Sequence, residues 1–131
     1  MYLVDTSVWI EVFRRPRRFE LGSVADLDEV VTCQPVIQEV LQGFQEEHAF
    51  RVAREAMFAL PVLESPLSRE VFEGAVQLYR NARRSGVTVR SSVDCLIAAC
   101  AIRHGVRVLH IDRDFTLLAR TSSLKEQRIS F

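Results

Sequence analysis

The sequence predicts an α/β protein, with a three-layer α/β/α architecture around a central, mainly parallel sheet of four or five strands. Short apolar or β-branched runs at residues 2–4, 29–33 and 106–111 are typical of buried strands. Amphipathic segments of helical length separate these runs. This alternation favours parallel strands joined by right-handed crossovers, with helices on both faces. The 131 residues show no internal repeat or linker, so we expect a single domain over residues 1–131.

The individual elements follow from where the apolar periodicity starts and stops. In chain order they are a strand over 2–4, a helix over 6–14, a short helix with its loop over 19–28, a strand over 29–33, a helix from 35, a helix over 45–60, a strand over 61–63, a helix over 68–85, a helix over 94–102, a strand over 106–111, a helix over 112–120 and an edge strand over 127–131. Asp5 ends the first strand and Pro16 breaks the first helix. Pro35 suits the first position of its helix, and Glu39 lies in about the first turn.

The boundaries in the second half have similar signals. Ser68 opens the long helix, and Gly86 suits the position just after its end. The segment from Asp94 is nearly all apolar until Gly105, which predicts a largely buried central helix. Helical spacing predicts these buried side chains on the two amphipathic helices before it: Phe50, Val52, Ala53, Ala56, Met57, Leu60, Val71, Phe72, Ala75, Leu78, Tyr79 and Ala82.

Composition narrows the class of protein. A hydrophobic content of 48% with 26% charged residues is ordinary for a globular domain and argues against disorder. Apolar runs stay short of the roughly 18 residues that a membrane helix needs, and no secretory signal pattern is visible, so we expect a cytoplasmic protein. Cys33, Cys95 and Cys100 each have apolar neighbours and form no C-x-x-C pair. We interpret them as small buried hydrophobic residues in a reducing compartment.

Four acidic residues stand where a strand ends or a helix begins. Asp5 follows the first strand, Glu39 lies early in the helix after the second strand, Asp94 opens the buried helix, and Asp112 follows the strand at 106–111. The carboxyl ends of parallel strands meet at one edge of the sheet, where open α/β proteins bind their ligands. The sequence therefore predicts that these four carboxylates lie close together.

Each acid also has a purely structural interpretation. Asp5 could cap the first helix, and Asp112 or Asp114 could cap the last. Asp94 could be the acidic member of a capping box that begins at Ser91, and Glu39 could be an exposed helix residue. One shared site explains the position of all four acids at the same edge of the sheet more simply than four unrelated structural roles do.

Carboxylates that meet in one pocket repel each other and need a counter-charge. Mg²⁺ or Mn²⁺ is the expected ion, because both prefer oxygen ligands. One or two such ions would activate water and clamp a phosphodiester during in-line attack. His110 lies close to the predicted site in sequence, and we favour a structural role in the core over substrate contact.

The net charge is zero, so a global field does not draw nucleic acid to the protein. Of the 17 basic residues, Lys125 is the only lysine and the rest are arginines, whose planar fork fits phosphate oxygens. The candidates for RNA contact are Arg14, Arg15, Arg17, Arg18 and Arg90. The alternative is that these side chains lie in solvent at helix ends.

With these residues in view, the chain resembles the PIN-domain family, and closely the toxin ribonucleases of VapBC toxin–antitoxin pairs. The resemblance covers residues 1 to about 120. The matching motifs are, in order, Leu3-Val4-Asp5-Thr6-Ser7, then Pro35-Val36-Ile37-Gln38-Glu39-Val40 with Gly43, then Asp94-x-Leu96-Ile97-Ala98-Ala99-x-Ala101, and finally Asp112-Arg113-Asp114-Phe115. Family members often carry Thr two residues before the fourth acid, where this chain has His110.

The resemblance implies a PIN-like fold and a Mg²⁺- or Mn²⁺-dependent endoribonuclease. It assigns the catalytic and metal-binding acids to Asp5, Glu39, Asp94 and Asp112, with Asp114 as an auxiliary metal-binding acid. It leaves open whether Asp112 or Asp114 is the principal fourth acid. Ser7 or Thr6 would orient Asp5. It also implies an RNA substrate, a homodimer or a higher toxin–antitoxin assembly, and inhibition by a small VapB-like antitoxin that pushes a side chain into the acid pocket.

Two other classes of function compete with this interpretation. A Mg²⁺-dependent phosphatase or receiver-like domain also places acids at strand ends, but it uses a lysine at the phosphoryl group. Lys125 lies in the C-terminal region and the D-x-D-x-[TV] pattern is absent at Asp5, so this class is disfavoured. A non-catalytic PIN-fold scaffold that binds RNA or protein is the main alternative, and the presence of all four acids argues against it.

Overall fold

The computed structural model describes residues 1–130; Phe131, the last residue of the predicted edge strand, lies outside this range. Within residues 1–130 the strands are β1 (Tyr2–Val4), β2 (Val30–Cys33), β3 (Val62–Leu63), β4 (Arg107–His110) and β5 (Glu126–Arg128). The α-helices of the same range are α1 (Thr6–Phe13), α2 (Gln34–Gln42), α3 (Glu47–Phe58), α4 (Arg69–Arg84), α5 (Ser92–His104) and α6 (Arg113–Arg120). Two 3₁₀ helices, Leu21–Ser23 and Leu27–Glu29, replace the short helix predicted over 19–28.

The strands form one sheet in the order β3-β2-β1-β4-β5, and every neighbouring pair is parallel. The predicted α/β class with a central parallel sheet is therefore confirmed. β1 occupies the centre, where Leu3 pairs with Val31 of β2 and Val108 of β4. Leu3 and Val4 are fully buried because both faces of β1 are covered.

The order in which successive strands are added to the sheet changes direction at β1. The strands β2 and β3 extend to one side of β1, and β4 and β5 extend to the other. The connection after β1 therefore runs toward β2 on one side, and the connection after β4 runs toward β5 on the other. This divergence opens a crevice at the carboxyl ends of β1 and β4. The crevice is narrow at its base, where the Asp5 backbone N–H donates to the Leu109 carbonyl at 2.9 Å. Asp5 and Asp112 follow the two strands on either side of it.

Helix α5 lies in the core and carries Asp94 in its first turn. Ser91 caps the helix, since its Oγ accepts from the Asp94 backbone N–H at 3.4 Å. Gly105 ends it in the left-handed conformation, with φ of 65°. Ile97, Ala98, Cys100 and Ala101 are fully buried, as predicted for a central helix. This burial fixes the position of Asp94 relative to the sheet.

Several sequence predictions about burial were wrong. Phe72 and Tyr79 of α4 are 48% and 36% exposed, and Val52 of α3 is 48% exposed. The buried stripe of α4 consists of Val71, Ala75, Leu78 and Ala82. Phe72 and Tyr79 each follow a stripe residue directly, which turns them about 100° away from the core. Ala56 of α3 is exposed as well, because it directly precedes the buried Met57 and is turned about 100° away from it.

Smaller corrections concern helix positions. Helix α2 begins at Gln34, so Pro35 is its second residue and Glu39 lies in its second turn. Cys33, Cys95 and Cys100 are buried and free, as expected. No helix within residues 1–130 is both long and apolar enough to cross a membrane.

Candidate active site

Asp5 lies at the carboxyl end of β1 with 3% of its surface exposed. Its Oδ2 accepts from the Ser7 backbone N–H at 3.0 Å and from Ser7 Oγ at 2.6 Å, so this oxygen caps α1. Its Oδ1 is buried and accepts no hydrogen bond from residues 1–130. The capping and functional interpretations of Asp5 are thus compatible, because each involves a different oxygen.

Ser7 and Thr6 hold two acids in place from the first turn of α1. Besides donating to Asp5, Ser7 Oγ accepts from the Ile111 backbone N–H at 3.1 Å, which joins the start of α1 to the end of β4. Thr6 Oγ1 donates to Glu39 Oε1 at 2.8 Å. Ser7 therefore orients Asp5, whereas Thr6 orients Glu39 on the neighbouring helix α2.

Asp94, Asp112 and Asp114 form the tightest part of the cluster. Each offers a carboxylate oxygen, and these oxygens lie within 4.8 Å of one another. Asp112 caps α6, because its Oδ1 accepts from the Asp114 backbone N–H at 2.9 Å. Asp114 is 1% exposed, and its Oδ2 accepts from the Arg90 backbone N–H at 3.1 Å. Asp114 therefore faces the same pocket as the acids at the strand ends.

Burial and repulsion among the acids change their proton affinities. Burial, and then the charges of Asp5, Asp112, Asp114 and Glu39, raise the pKa of Asp94 to about 8. The pKa of Asp5 is also raised, chiefly by burial and to a smaller extent by Asp112, against hydrogen bonds from Ser7 that lower it. Repulsion from all four other acids at Asp94 means that Asp5, Glu39, Asp94, Asp112 and Asp114 share one electrostatic environment.

The donor set fits a hard divalent cation. Asp5 Oδ1, Asp94 Oδ2 and Asp114 Oδ1 are buried and lack a hydrogen-bond partner in the part of the chain that the structure describes. Buried carboxylate oxygens without a donor are costly and uncommon. Oxygen ligands of this kind suit Mg²⁺ or Mn²⁺, while a ligand set for zinc would normally include His or Cys. Asp94, Asp112 and Asp114 are the residues that could hold the ion, with Asp5 and Glu39 beside them.

His110 belongs to the core rather than to the pocket. Its side chain is fully buried, its Nε2 makes a 2.5 Å hydrogen bond to Glu126 Oε2, and its ring packs against Phe115. Glu126 also accepts from Thr116 Oγ1 at 3.5 Å. His110 therefore ties β4 to β5 and α6.

The basic residues singled out from sequence differ in their surroundings. Arg14 and Arg18 both lie near Glu11 Oε2, at 3.7 and 3.8 Å, and Arg17 pairs with Glu20 at 3.2 Å. Arg15 donates to the backbone carbonyls of Val12 and Arg14. Arg90 lies beside the acids instead, with its Nε 3.9 Å from Asp114 Oδ1.

Two further arginines near the acids were missed from sequence. Arg113 and Arg128 line a groove next to the pocket, together with Arg90 and Asp112. Arg113 could have been found, because it directly follows a predicted site residue. Arg128 gave no local signal, since only the pairing of β5 with β4 brings it to this edge.

Comparison with known proteins places these features in context. The PIN domain family profile matches residues 2–121 of the chain. Ribonuclease VapC11 of Mycobacterium tuberculosis is 38% identical over 135 residues, which covers 95% of this chain and 96% of that protein. Ribonuclease VapC51 of the same organism is 32% identical over 118 residues, covering 90% of this chain and 85% of that protein.

Solved structures show the same fold at lower identity. DNA-bound VapBC from Salmonella typhimurium gives a TM-score of 0.79 at 16% identity, covering 97% of this chain and 96% of that chain. VapBC-5 from Mycobacterium tuberculosis, described as a member of the VapBC family of toxin–antitoxin systems, gives a TM-score of 0.73 at 23% identity, with 98% of both chains covered.

Proposed function

The chain belongs to the PIN-domain family and, within it, to the VapC ribonucleases, and from this membership we propose that it is a Mg²⁺- or Mn²⁺-dependent endoribonuclease, the toxin of a toxin–antitoxin pair. The observation that carries the proposal is the convergence of acids from separate segments on one pocket, with three buried carboxylate oxygens that lack a donor within residues 1–130. Arg90 Nε lies 3.9 Å from Asp114 Oδ1, so a bound cation is the partner that Asp5 Oδ1 and Asp94 Oδ2 still lack. A phosphodiester is the substrate that such a centre cleaves.

The protein groups divide the work of the site. Asp94, Asp112 and Asp114 would hold the ion, and Asp5 and Glu39 would complete the acidic cluster. When bound, Mg²⁺ or Mn²⁺ supplies Lewis-acid chemistry that makes water a stronger nucleophile and offsets charge on the phosphate. Ser7 fixes the rotamer of Asp5, and Thr6 fixes Glu39, so that neither side chain needs to reorganise during reaction.

The proposed partner is a small antitoxin of the VapB kind, in an assembly that contains more than one toxin chain. This proposal is supported by the similarity to VapBC complexes from Salmonella typhimurium and Mycobacterium tuberculosis, the first of which is bound to DNA. A cationic or bulky antitoxin side chain that enters the acid pocket would block it. A short reading frame next to the gene, coding for such a partner, would support this assignment.

Cleavage of single-stranded RNA tests the catalytic proposal. We expect cleavage in Mg²⁺ or Mn²⁺, loss of cleavage in a chelator, and a fall of at least about 100-fold in Asp5→Asn, because an amide is a poorer ligand and leaves the cluster incomplete. Gel analysis of end-labelled RNA gives the rates. Asp28→Asn is the matched control, since Asp28 is exposed and lies outside the pocket.

Two results would contradict the proposal. Cleavage that persists in a chelator, or that is unchanged in Asp5→Asn, would exclude the acidic metal centre as its source. Tight RNA binding without cleavage under any divalent ion would favour a non-catalytic scaffold.

A further inference from the structure

A groove of about 600 Å³ opens directly beside the acids. Ser7 and Asp112 form the part of its wall that belongs to the acid pocket. Three arginines, Arg90, Arg113 and Arg128, form the rest of its polar lining together with Glu11. We call this feature the arginine groove.

The three arginines reach the arginine groove from separate segments of the chain. Arg90 precedes α5, Arg113 is the first residue of α6, and Arg128 ends β5. Arg128 pairs with His110 at the carboxyl end of β4, which puts it at the same edge of the sheet as the acids. The basic surface is therefore produced by the fold and not by a single arginine-rich stretch of sequence.

The charges of Arg113 and Arg128 are available to a ligand. Both residues are exposed, and neither side chain makes an ion pair or a hydrogen bond within residues 1–130. Arg90 is 65% exposed while its Nε stays within 4 Å of Asp114. The one acid of the groove outside the pocket, Glu11, is 16% exposed and lies near Arg14 and Arg18, which offset its charge.

The acids create a need for such a surface. Five carboxylates at one edge repel a polyanion, and a bound cation cancels only part of that charge. An arginine fork binds two phosphate oxygens at once, and phosphate contacts fix the register of a nucleic acid on a protein. Cations next to the acids would therefore position the strand without displacing the ion.

We propose that the arginine groove binds the phosphates of the RNA strand next to the bond presented to the acids, with Arg113 and Arg128 as the contacts and Arg90 as the link to the acid pocket. This inference rests on the proposed ribonuclease function. It assigns the main phosphate contacts to these residues rather than to Arg14, Arg17 and Arg18, whose guanidinium groups already have acidic partners.

RNA binding without cleavage tests the inference. The protein carries Asp94→Asn to prevent turnover, and a fluorescent single-stranded RNA reports binding by polarisation at several salt concentrations. Arg113→Gln with Arg128→Gln is expected to weaken binding about 10-fold at 0.15 M salt and to reduce the salt slope by about 0.7 for each phosphate that is no longer neutralised. Arg120→Gln, at the other end of α6, is the matched control and should bind like the parent.

Further variants separate the possible outcomes. Arg113→Lys with Arg128→Lys should retain the salt slope of the parent, because lysine keeps both charges. An unchanged slope in the double glutamine variant, or an equal loss in Arg120→Gln, would overturn the inference. A loss confined to Arg14→Gln with Arg18→Gln would also overturn it.

The same variants in the active protein show which idea has failed. If the parent with an intact Asp94 cleaves RNA and the double glutamine variant has an unchanged KM, the inference fails while the ribonuclease proposal stands. A parent that does not cleave RNA in Mg²⁺ or Mn²⁺ contradicts the ribonuclease proposal, whatever the groove binds.

Discussion

At the scale of single residues, one side chain often serves the fold and the site at once. Asp5 caps α1 with one oxygen and leaves the other in the pocket, and Asp112 likewise caps α6 while it faces Asp94 and Asp114. The sequence identified both positions from the strand-to-helix turns, but local rules could not distinguish capping from ligation. The capping donors are local, from Ser7 and Asp114, but whether a carboxylate also faces the other acids depends on the surrounding fold.

Asp94 makes the stability of the metal-free protein depend on pH. Its pKa of about 8 in the folded state exceeds the value of about 3.9 in an unfolded chain, so the folded state binds more protons between these pH values. Stability is therefore highest below about pH 4 as far as this group is concerned, and it falls as the pH rises toward 8. We expect the Asp94 carboxyl to lower the free energy of unfolding of the parent by about 1–4 kcal/mol between pH 4 and pH 8, and Asp94→Asn to abolish this contribution. Urea unfolding with chelator present measures both proteins. A parent whose stability rises from pH 5 to pH 8 by the same amount as that of the variant would contradict this expectation.

Ser7 positions Asp5 and is not proposed as a ligand of the ion, because its hydroxyl already makes two hydrogen bonds. Its hydroxyl joins Asp5 Oδ2 to the Ile111 backbone N–H. Ser7→Ala should lower the rate of RNA cleavage about 10- to 100-fold and weaken Mn²⁺ binding measured by calorimetry, because Asp5 loses its orientation. Ser123→Ala, at an exposed position away from the pocket, is the control. Unaltered Mn²⁺ affinity in Ser7→Ala would show that the hydrogen bond is not needed for positioning.

At the scale of elements, the sequence predicted helices and strands well where capping and burial agree. Ser68, Ser91 and Gly105 marked helix ends that the structure shares to within a residue or two. Periodicity failed for Phe72 and Tyr79, because an aromatic residue beside a buried stripe fits the same helical pattern whether it is covered or exposed. Whether these two aromatic side chains are covered depends on the elements that pack against α4, and the sequence of α4 alone does not specify them.

Two glycines at helix positions should respond to substitution in opposite directions. A Cβ at Gly74 of α4 would meet the Ala99 Cβ at 3.6 Å, which is an ordinary contact against α5. Gly74→Ala should therefore raise the free energy of unfolding by about 0.5–1 kcal/mol, through higher helix propensity.

Gly105→Ala should lower the free energy of unfolding by about 1 kcal/mol, since φ of 65° is unfavourable for a residue with a side chain. Urea denaturation measures both, and a destabilised Gly74→Ala protein would mean that α4 and α5 pack too closely to admit a methyl group.

At the scale of the whole molecule, the strand order explains why acids far apart in sequence meet. Strands β2 and β4 flank β1 and extend to opposite sides of it, so the connections that follow these three strands bring Asp5, Glu39 and Asp112 to a common edge. The sequence supported this convergence through the parallel-sheet rule and through the resemblance to PIN-domain proteins. It could not show Arg128 at the same edge, because the register of a short, polar edge strand has no hydrophobic signature.

The central place of β1 also determines when, during synthesis, the acid pocket can form. During translation, the first strand emerges from the ribosome long before its neighbour β4, whose residues 107–110 are needed to form the crevice beside Asp5. We expect a chain truncated before residue 106 to be sensitive to protease, whereas a chain that extends beyond β5 should resist it. The acid pocket, and with it the proposed ribonuclease activity, can therefore appear only near the end of synthesis.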